Sequence, residues 1–236
     1  AIFICSGAGL PKMMNIPGEN LNGVYSANEF LTRVNLMGAD GKDAVTPLRV
    51  GKAAAVIGGG NVAMDAARTA VRVGFEKVYI VYRRTEAELP ARLEEIRHAK
   101  EEGVIFQFLH APVEIYNKDG YAAGMKFEIM ELGEPDESGR RKPVGTGRYT
   151  DLDVDSVIVA LGTGPNPIIQ KSAHLDGLDF EVDSKGYFTV NPETRETSIP
   201  AIFAGGDVAP VGTSNAINAM GAGKKAAKAI NEYLRQ

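Results

Sequence analysis

The stretch VIGGGNVAMDAAR, Val56 to Arg68, followed by VYIVYRR, Val78 to Arg84, decides how this chain folds. Ala53 to Ile57 is an apolar run as long as a buried strand, and from Asn61 onward Val62, Ala63, Ala66, Ala67, Ala70 and Val71 recur at helical spacing. Between strand and helix stand Gly58, Gly59 and Gly60. Gly58 suits the sharp reversal, Gly60 has no side chain to keep a pyrophosphate from the backbone, and Ala63 lets the helix pack close to the sheet. Asn61 and Val62 open a helix whose unpaired N–H groups and positive dipole end attract phosphate.

Glycine turns occur wherever chains reverse, so the second strand carries the discrimination. Lys77 to Tyr82 ends where a dinucleotide fold presents its ribose-reading residue, about 20 to 25 residues past the first glycine. NAD-binding chains place an acid there to accept from the ribose hydroxyls. Here stand Arg83 and Arg84, whose planar guanidinium groups match a phosphate dianion with paired hydrogen bonds. The bland alternative is a pair of solvated charges at a strand end; the position favours NADP(H).

Composition narrows the classes. A chain of 236 residues with 44% hydrophobic content can build a globular core, and a net charge of -4 with dispersed basic residues offers no general attraction to nucleic acid. No apolar run approaches the ~18 residues that cross a bilayer and no signal peptide is visible, so a cytoplasmic protein with no membrane partner is expected. Cys5 is the one cysteine, which excludes an internal disulfide, a CxxC pair and an iron-sulfur cluster held by these residues alone. Its apolar neighbours Ile2, Phe3 and Ile4 make it a core residue by expectation. His98, His110 and His174 lack metal-ligand spacing, so no metal is assigned.

Along the chain, Ala1 to Ser6 reads as a strand and Ser26 with Glu29 as the capped start of a helix; Gly38 to Gly51 reads as a linker. After Arg84, Thr85 and Glu88 form a capping-box pattern, and Pro90 suits the first turn of a helix carrying Leu93, Ile96 and Ala99. Asp65 on the first helix is read as orienting the glycine turn. Val104 to Leu109 is a third strand. Val113 to Tyr116 and Gly124 to Glu131 flank the hairpin turn Asn117-Lys118-Asp119-Gly120, and Gly133 to Gly147 reads as a loop or long hairpin tip whose Arg140, Arg141 and Lys142 are solvated. Val154 to Leu161 returns as a buried strand ending at Gly162, where a cofactor could pass close or the chain merely turn. Phe180 to Val182, Tyr187 to Val190 and Ile199 to Ala204 read as short strands. Ser214 to Leu234 is a helix expected to bury Ala216, Ile217, Met220, Ala226, Ala227 and Ile230. The fold class is α/β: a Rossmann-like doubly wound parallel sheet with a β-meander.

Several segments together, FICSGAGLPK, NIPGENLNGVYSANEFLTRVN, VIGGGNVAMDAAR, VYRRTEAELPAR, VIVALGTGPNP and IFAGGDVAPVGTSNAINAMGAGKKAA, resemble the NADPH-dependent flavoproteins of the glutamate synthase small (beta) subunit type. Related proteins are the large subunit of ferredoxin-NADP transhydrogenase and the amino-terminal part of dihydropyrimidine dehydrogenase. The resemblance implies an NADP-binding domain, residues 52–161, inserted into an FAD-binding domain represented by residues 1–51 and 162–236. It also implies that Gly206 and Asp207 meet the flavin ribityl chain and that Asn215 and Ala216 open the helix beside the isoalloxazine. The amino-terminal iron-sulfur region and first flavin glycine motif of the family are missing from this stretch, so FAD is expected in the full-length protein rather than in this chain alone.

The function implied is hydride transfer between NADP(H) and FAD, with electrons exchanged with iron-sulfur centres or a larger partner subunit. Positioning carries such a transfer, so no catalytic residue is assigned. The alternative is an NADP-binding module without flavin or turnover. A dehydrogenase acting on its own small substrate would need a Tyr-x-x-x-Lys pair or a catalytic His/Arg set, of which the sequence offers no convincing example.

Overall fold

The computed structural model describes residues 1–41, 43–135, 139–212 and 214–235. In chain order the elements are β1 (Ile2–Ile4), β2 (Leu10–Pro11), β3 (Val24–Ser26), α1 (Ala27–Asn35), β4 (Ala53–Ile57), α2 (Asn61–Val73), β5 (Lys77–Tyr82), α3 (Leu93–Glu101), β6 (Ile105–Phe108), β7 (His110–Lys118), β8 (Tyr121–Pro135), β9 (Arg141–Leu152), β10 (Ser156–Val159), β11 (Thr163–Gly164), α4 (Ile168–Leu175), β12 (Ile202–Ala204) and α5 (Ala216–Tyr233). They form two compact units, residues 11–162 and residues 1–10 with 163–236.

The larger unit is built on a five-stranded parallel sheet in the order β3-β10-β4-β5-β6. Its central strand β4 is apolar and buried at every position because both faces are covered. Ala54, Val56, Val78, Ile80 and Ile158 point towards the helices, meeting Phe30, Ala63, Met64, Ala67, Ala70, Ile96 and Ala99. Ala55, Ile57, Val81, Val157 and Val159 face the other way onto Ile115, Met125 and Phe127 of the antiparallel meander β7-β8-β9. The sequence boundary at residue 52 falls inside this unit: Val24–Ser26 pair with Val157–Val159, a contact across some 130 residues that local patterning does not signal.

The capping patterns resolve differently from their sequence reading in one case. Ser26 caps α1, accepting from Glu29 N at 3.1 Å. The Thr85–Glu88 box is present, but it closes a separate 3-10 turn, Glu86–Glu88, and α3 begins only at Leu93, beyond Pro90. Residues 136–138 of the expected hairpin tip lie outside the described residues; the strands on either side run further than the sequence indicated, to Pro135 and from Arg141.

In the smaller unit β1 pairs in parallel with β12, Ile4 opposite Ala204. The expected strands at 180–182 and 187–190 reduce to a bridge between Val182 and Phe188. Cys5 is exposed rather than core, because it lies just past the end of the three-residue strand β1. The buried face of α5 is also narrower than expected: Ala222 and Ala226 are buried, while Ile217 is 80% and Met220 66% exposed. Small residues let this helix approach the GG turn after β12, where a Cβ on Gly205 would stand 3.1 Å from that of Ala222, and only that narrow face is covered.

The helices α2 and α3 are joined by ion pairs. Arg68 donates to Glu102 at 2.9 Å and to Glu95 at 3.0 Å, and Arg72 reaches Glu102 at 2.8 Å. The hydrogen bond from Arg68, helped by Arg72 and opposed by burial, holds the Glu102 carboxyl below its ordinary value. Partial burial and Glu95, opposed by Arg68, instead raise the Asp65 carboxyl above its ordinary value. A depressed carboxyl stabilises the folded state above its unfolded-state value, ~4.3, and that contribution disappears as the pH falls through the folded value. Glu102→Gln is therefore expected to lower stability to urea at neutral pH, with the gap from wild type closing below about pH 4. A gap independent of pH would contradict this assignment.

Candidate functional site

The site is set by topology. From β4 the chain runs through α2 to β5 and through α3 to β6 on one side, while β10 and β3 lie on the other, so the order reverses between β4 and β10. At such a switch point the connections leave in opposite directions and open a crevice at the carboxyl ends of the strands. Gly58, at the end of β4, has φ +144°, and a Cβ there would stand 2.4 Å from the Ala160 carbonyl oxygen. Only glycine fits. Gly59 is nearly as enclosed, its Cβ position 2.6 Å from Leu89 and 2.8 Å from Tyr82, whereas the Cβ position of Gly60 faces open space.

That space is a cavity of about 800 Å³ within the larger unit. Its lining includes Gly59, Gly60, Asn61 and Val62, Arg83 and Arg84, and Ala160, Leu161 and Gly162. Gly58 is not part of the lining and packs against Ala160. Gly60 is the N-cap of α2 and has no side chain to cap with, which leaves the helix N-terminus directed at the cavity with its dipole end uncovered. Asn61 is engaged elsewhere: its Oδ1 accepts from Arg92 N at 2.9 Å, fixing the start of α3 to that of α2.

The two arginines differ in setting. Arg83 is exposed at the cavity edge. Arg84 is only 5% exposed, and its Nε donates to the Arg141 carbonyl oxygen at 2.7 Å. Arg141 in turn reaches the buried Glu88 carboxylate at 2.6 Å, so it is structural rather than a solvated charge as the sequence implied. Glu88 also accepts from Thr85 N at 3.1 Å and Thr85 Oγ1 at 2.5 Å. The Thr85 hydroxyl most of all, and Arg141 after burial is set against it, hold the Glu88 carboxyl below its ordinary value.

Sequence reading missed part of the wall. Lys12, Met13 and Met14 line the cavity from a loop ahead of the parallel sheet, and His110, Ala111 and Pro112 line it from the start of β7. The Glu19 carboxylate shapes the loop by accepting from Asn15 N at 2.7 Å and Ile16 N at 3.3 Å, and Lys12 N donates to Gly162 O at 3.0 Å. The glutamate four residues after Asn15 was the one local signal available.

The remaining expected residues lie in the smaller unit. Gly206 and Asp207 form a 3-10 turn after β12, with Asp207 exposed, and Asn215 caps α5 by accepting from Asn218 N at 2.8 Å. Ala216 is the first, exposed residue of that helix. A small cavity between turn and helix is lined by Gly206, Asp207, Asn215 and a buried arginine, Arg195, whose Nε and Nη1 find no acceptor among the described residues. Among the described residues no group of three His, Cys, Asp or Glu could hold a metal ion, and no helix is long and apolar enough to cross a membrane.

Residues 1–223 match the pyridine nucleotide-disulphide oxidoreductase family, and the chain belongs to it. It is 41% identical over its whole length to the beta subunit of the NADP(+)-dependent formate dehydrogenase of Moorella thermoacetica, covering 32% of that protein. It is 36% identical over 99% of its length to the glutamate synthase [NADPH] small chain of Escherichia coli K12, covering 50% of it. The chain thus spans half or less of the length of these two relatives. In fold it is similar to Mycobacterium tuberculosis FprA in complex with NADPH, with a TM-score of 0.75 and 22% identity over the whole chain and 64% of FprA.

The contrast between the arginines yields a paired expectation. Arg83→Ala should weaken NADPH binding about tenfold with unchanged melting temperature, the loss typical of one charge-assisted hydrogen bond to phosphate. Arg84→Ala should in addition cost roughly 1–2 kcal/mol of stability, because it strips a donor from the Arg141 carbonyl. Calorimetric titration and thermal melts of both variants decide it; equal melting losses would contradict the distinction.

Proposed function

We propose that this chain is the NADP(H)-binding portion of a flavin-dependent oxidoreductase, in which hydride passes between the nicotinamide and a flavin held by the complete protein. The observation that carries this reading is the cavity at the β4/β10 switch point. It combines an uncovered helix N-terminus at Gly60, glycines in its lining and guanidinium groups where β5 ends. The backbone N–H groups of α2 suit the pyrophosphate, and Arg83 with Arg84 suits the ribose phosphate that distinguishes NADP from NAD. Gly162, at φ +89°, lets the lining bend away without a side chain in the crevice.

The smaller unit fits a flavin nucleotide in its donor and acceptor set. The exposed Asp207 carboxylate can accept from ribityl hydroxyls, and the unpartnered Nε and Nη1 of Arg195 offer buried donors beside it. FAD, when bound in the complete protein, would supply two-electron acceptance of the hydride. The residues of this chain would bind and orient the dinucleotide and keep water from its reacting end; no acid or base is required of them. The matched relatives are named as subunits, which supports electron exchange with a larger catalytic or electron-transfer subunit, and the reading keeps the cytoplasmic location expected from the sequence.

Titrating the purified chain with NADPH and NADH while recording its absorbance tests this. NADPH is expected to bind at least about tenfold more tightly than NADH, the discrimination that one well-made guanidinium–phosphate contact provides. Equal affinities, or no binding, would overturn the reading. A colourless chain with that preference is the binding module alone; a yellow chain that reduces a dye with NADPH holds its own flavin.

A further inference from the structure

The long β8–β9 hairpin belongs to the meander, yet its far end returns to the cavity. Arg140, the residue before β9, lines the same 800 Å³ space as Gly60, Asn61 and Arg83. Its neighbour Arg141 fastens the hairpin to the turn that follows β5 through two contacts. The Arg141 side chain meets Glu88, 6% exposed, at 2.6 Å, and its carbonyl accepts from Arg84 at 2.7 Å. The turn itself is closed by the Thr85–Glu88 box and by Tyr82, whose hydroxyl donates to the Glu88 carbonyl at 2.9 Å. Arg83, Arg84 and Arg140, from two distant segments, thus line one cavity, and the two segments are joined by a chain of hydrogen bonds from Arg84 through Arg141 to a buried carboxylate.

We propose that Arg140 is a specificity-determining residue of the dinucleotide site, gripping with Arg83 the ribose 2′-phosphate, and that the Arg141–Glu88 pair is the positioning device that holds it there. The proposal rests on the dinucleotide reading of the cavity. A phosphate dianion presents three oxygens, more than one guanidinium fork can engage, so arginines arriving from different elements share it. Arg84 contributes charge while also carrying the hairpin's carbonyl. Lys142, one residue further, is exposed and lies outside the cavity lining.

Calorimetric titration of the chain with adenosine 2′,5′-bisphosphate and with adenosine 5′-monophosphate tests the proposal, because the ligands differ only in the 2′-phosphate. Arg140→Ala is expected to weaken the bisphosphate about tenfold and the monophosphate less than about twofold, while Arg140→Lys retains part of the difference. Arg141→Met should lower the ratio of the two affinities, which a purely structural role would leave untouched, and Lys142→Ala should leave both ligands unchanged. Unchanged bisphosphate binding in Arg140→Ala, or equal losses for both ligands, would overturn the inference. If wild type prefers the bisphosphate and Arg83→Ala loses that preference, the dinucleotide reading stands whatever Arg140 does. If wild type shows no preference, that reading and this inference fall together.

Discussion

The close approach of Gly58 to the Ala160 carbonyl is the constraint on which the rest of the site depends. With a Cβ position 2.4 Å from that oxygen, no side chain is admissible at Gly58, and the chain can turn from β4 into α2 beside β10 only as glycine. This tight turn carries the start of α2 to the crevice, where Gly60 opens onto the cavity instead of capping the helix with its own side chain. The electrostatic attraction for phosphate follows from backbone geometry, since the N–H groups of a first helical turn have no partners within the helix.

The same economy governs selectivity. Arg84, at the end of β5, is supported through the Arg141 carbonyl, and Arg141 in turn rests on the buried Glu88 carboxylate. Held in ionised form by Thr85 and Arg141, it links the turn after β5 to the meander. Burying a carboxylate is costly unless it is fully engaged, and here backbone, hydroxyl and guanidinium donors engage it. Parallel sheet and meander thus meet at this cavity as well as across the core.

The features legible in the sequence were those written in local spacing. The β4–glycine–α2–β5 unit, its register of apolar residues and the paired arginines all lie within a short window, where period and glycine placement have direct structural meaning. Features depending on distant pairing were not legible. Val24–Ser26 looked like part of a flanking segment because its partner strand lies at Ser156–Val159. Arg141 looked solvated because Glu88 is far from it in sequence, and the Thr85–Glu88 box was assigned to α3 because a box cannot say how many turns follow it. In α5 helical periodicity marked Ile217 and Met220 for burial, but only the small-residue face at Ala222 and Ala226 is covered. The resemblance to NADPH-dependent flavoproteins placed the chain in its family correctly, since it rested on ordered segments spread over nearly the whole length.

The central claim is that the dinucleotide lies in the cavity of the larger unit, with its pyrophosphate at the start of α2. A titration of the 15N-labelled chain with NADP+, followed by amide chemical shifts, tests it most directly. The account predicts the largest shifts at Gly59, Gly60, Asn61 and Val62, with Arg83 and Gly162 also moving, and smaller shifts when NAD+ replaces NADP+ at equal concentration. Shifts that spare the Gly59–Val62 amides, or that centre on the smaller unit, would contradict it.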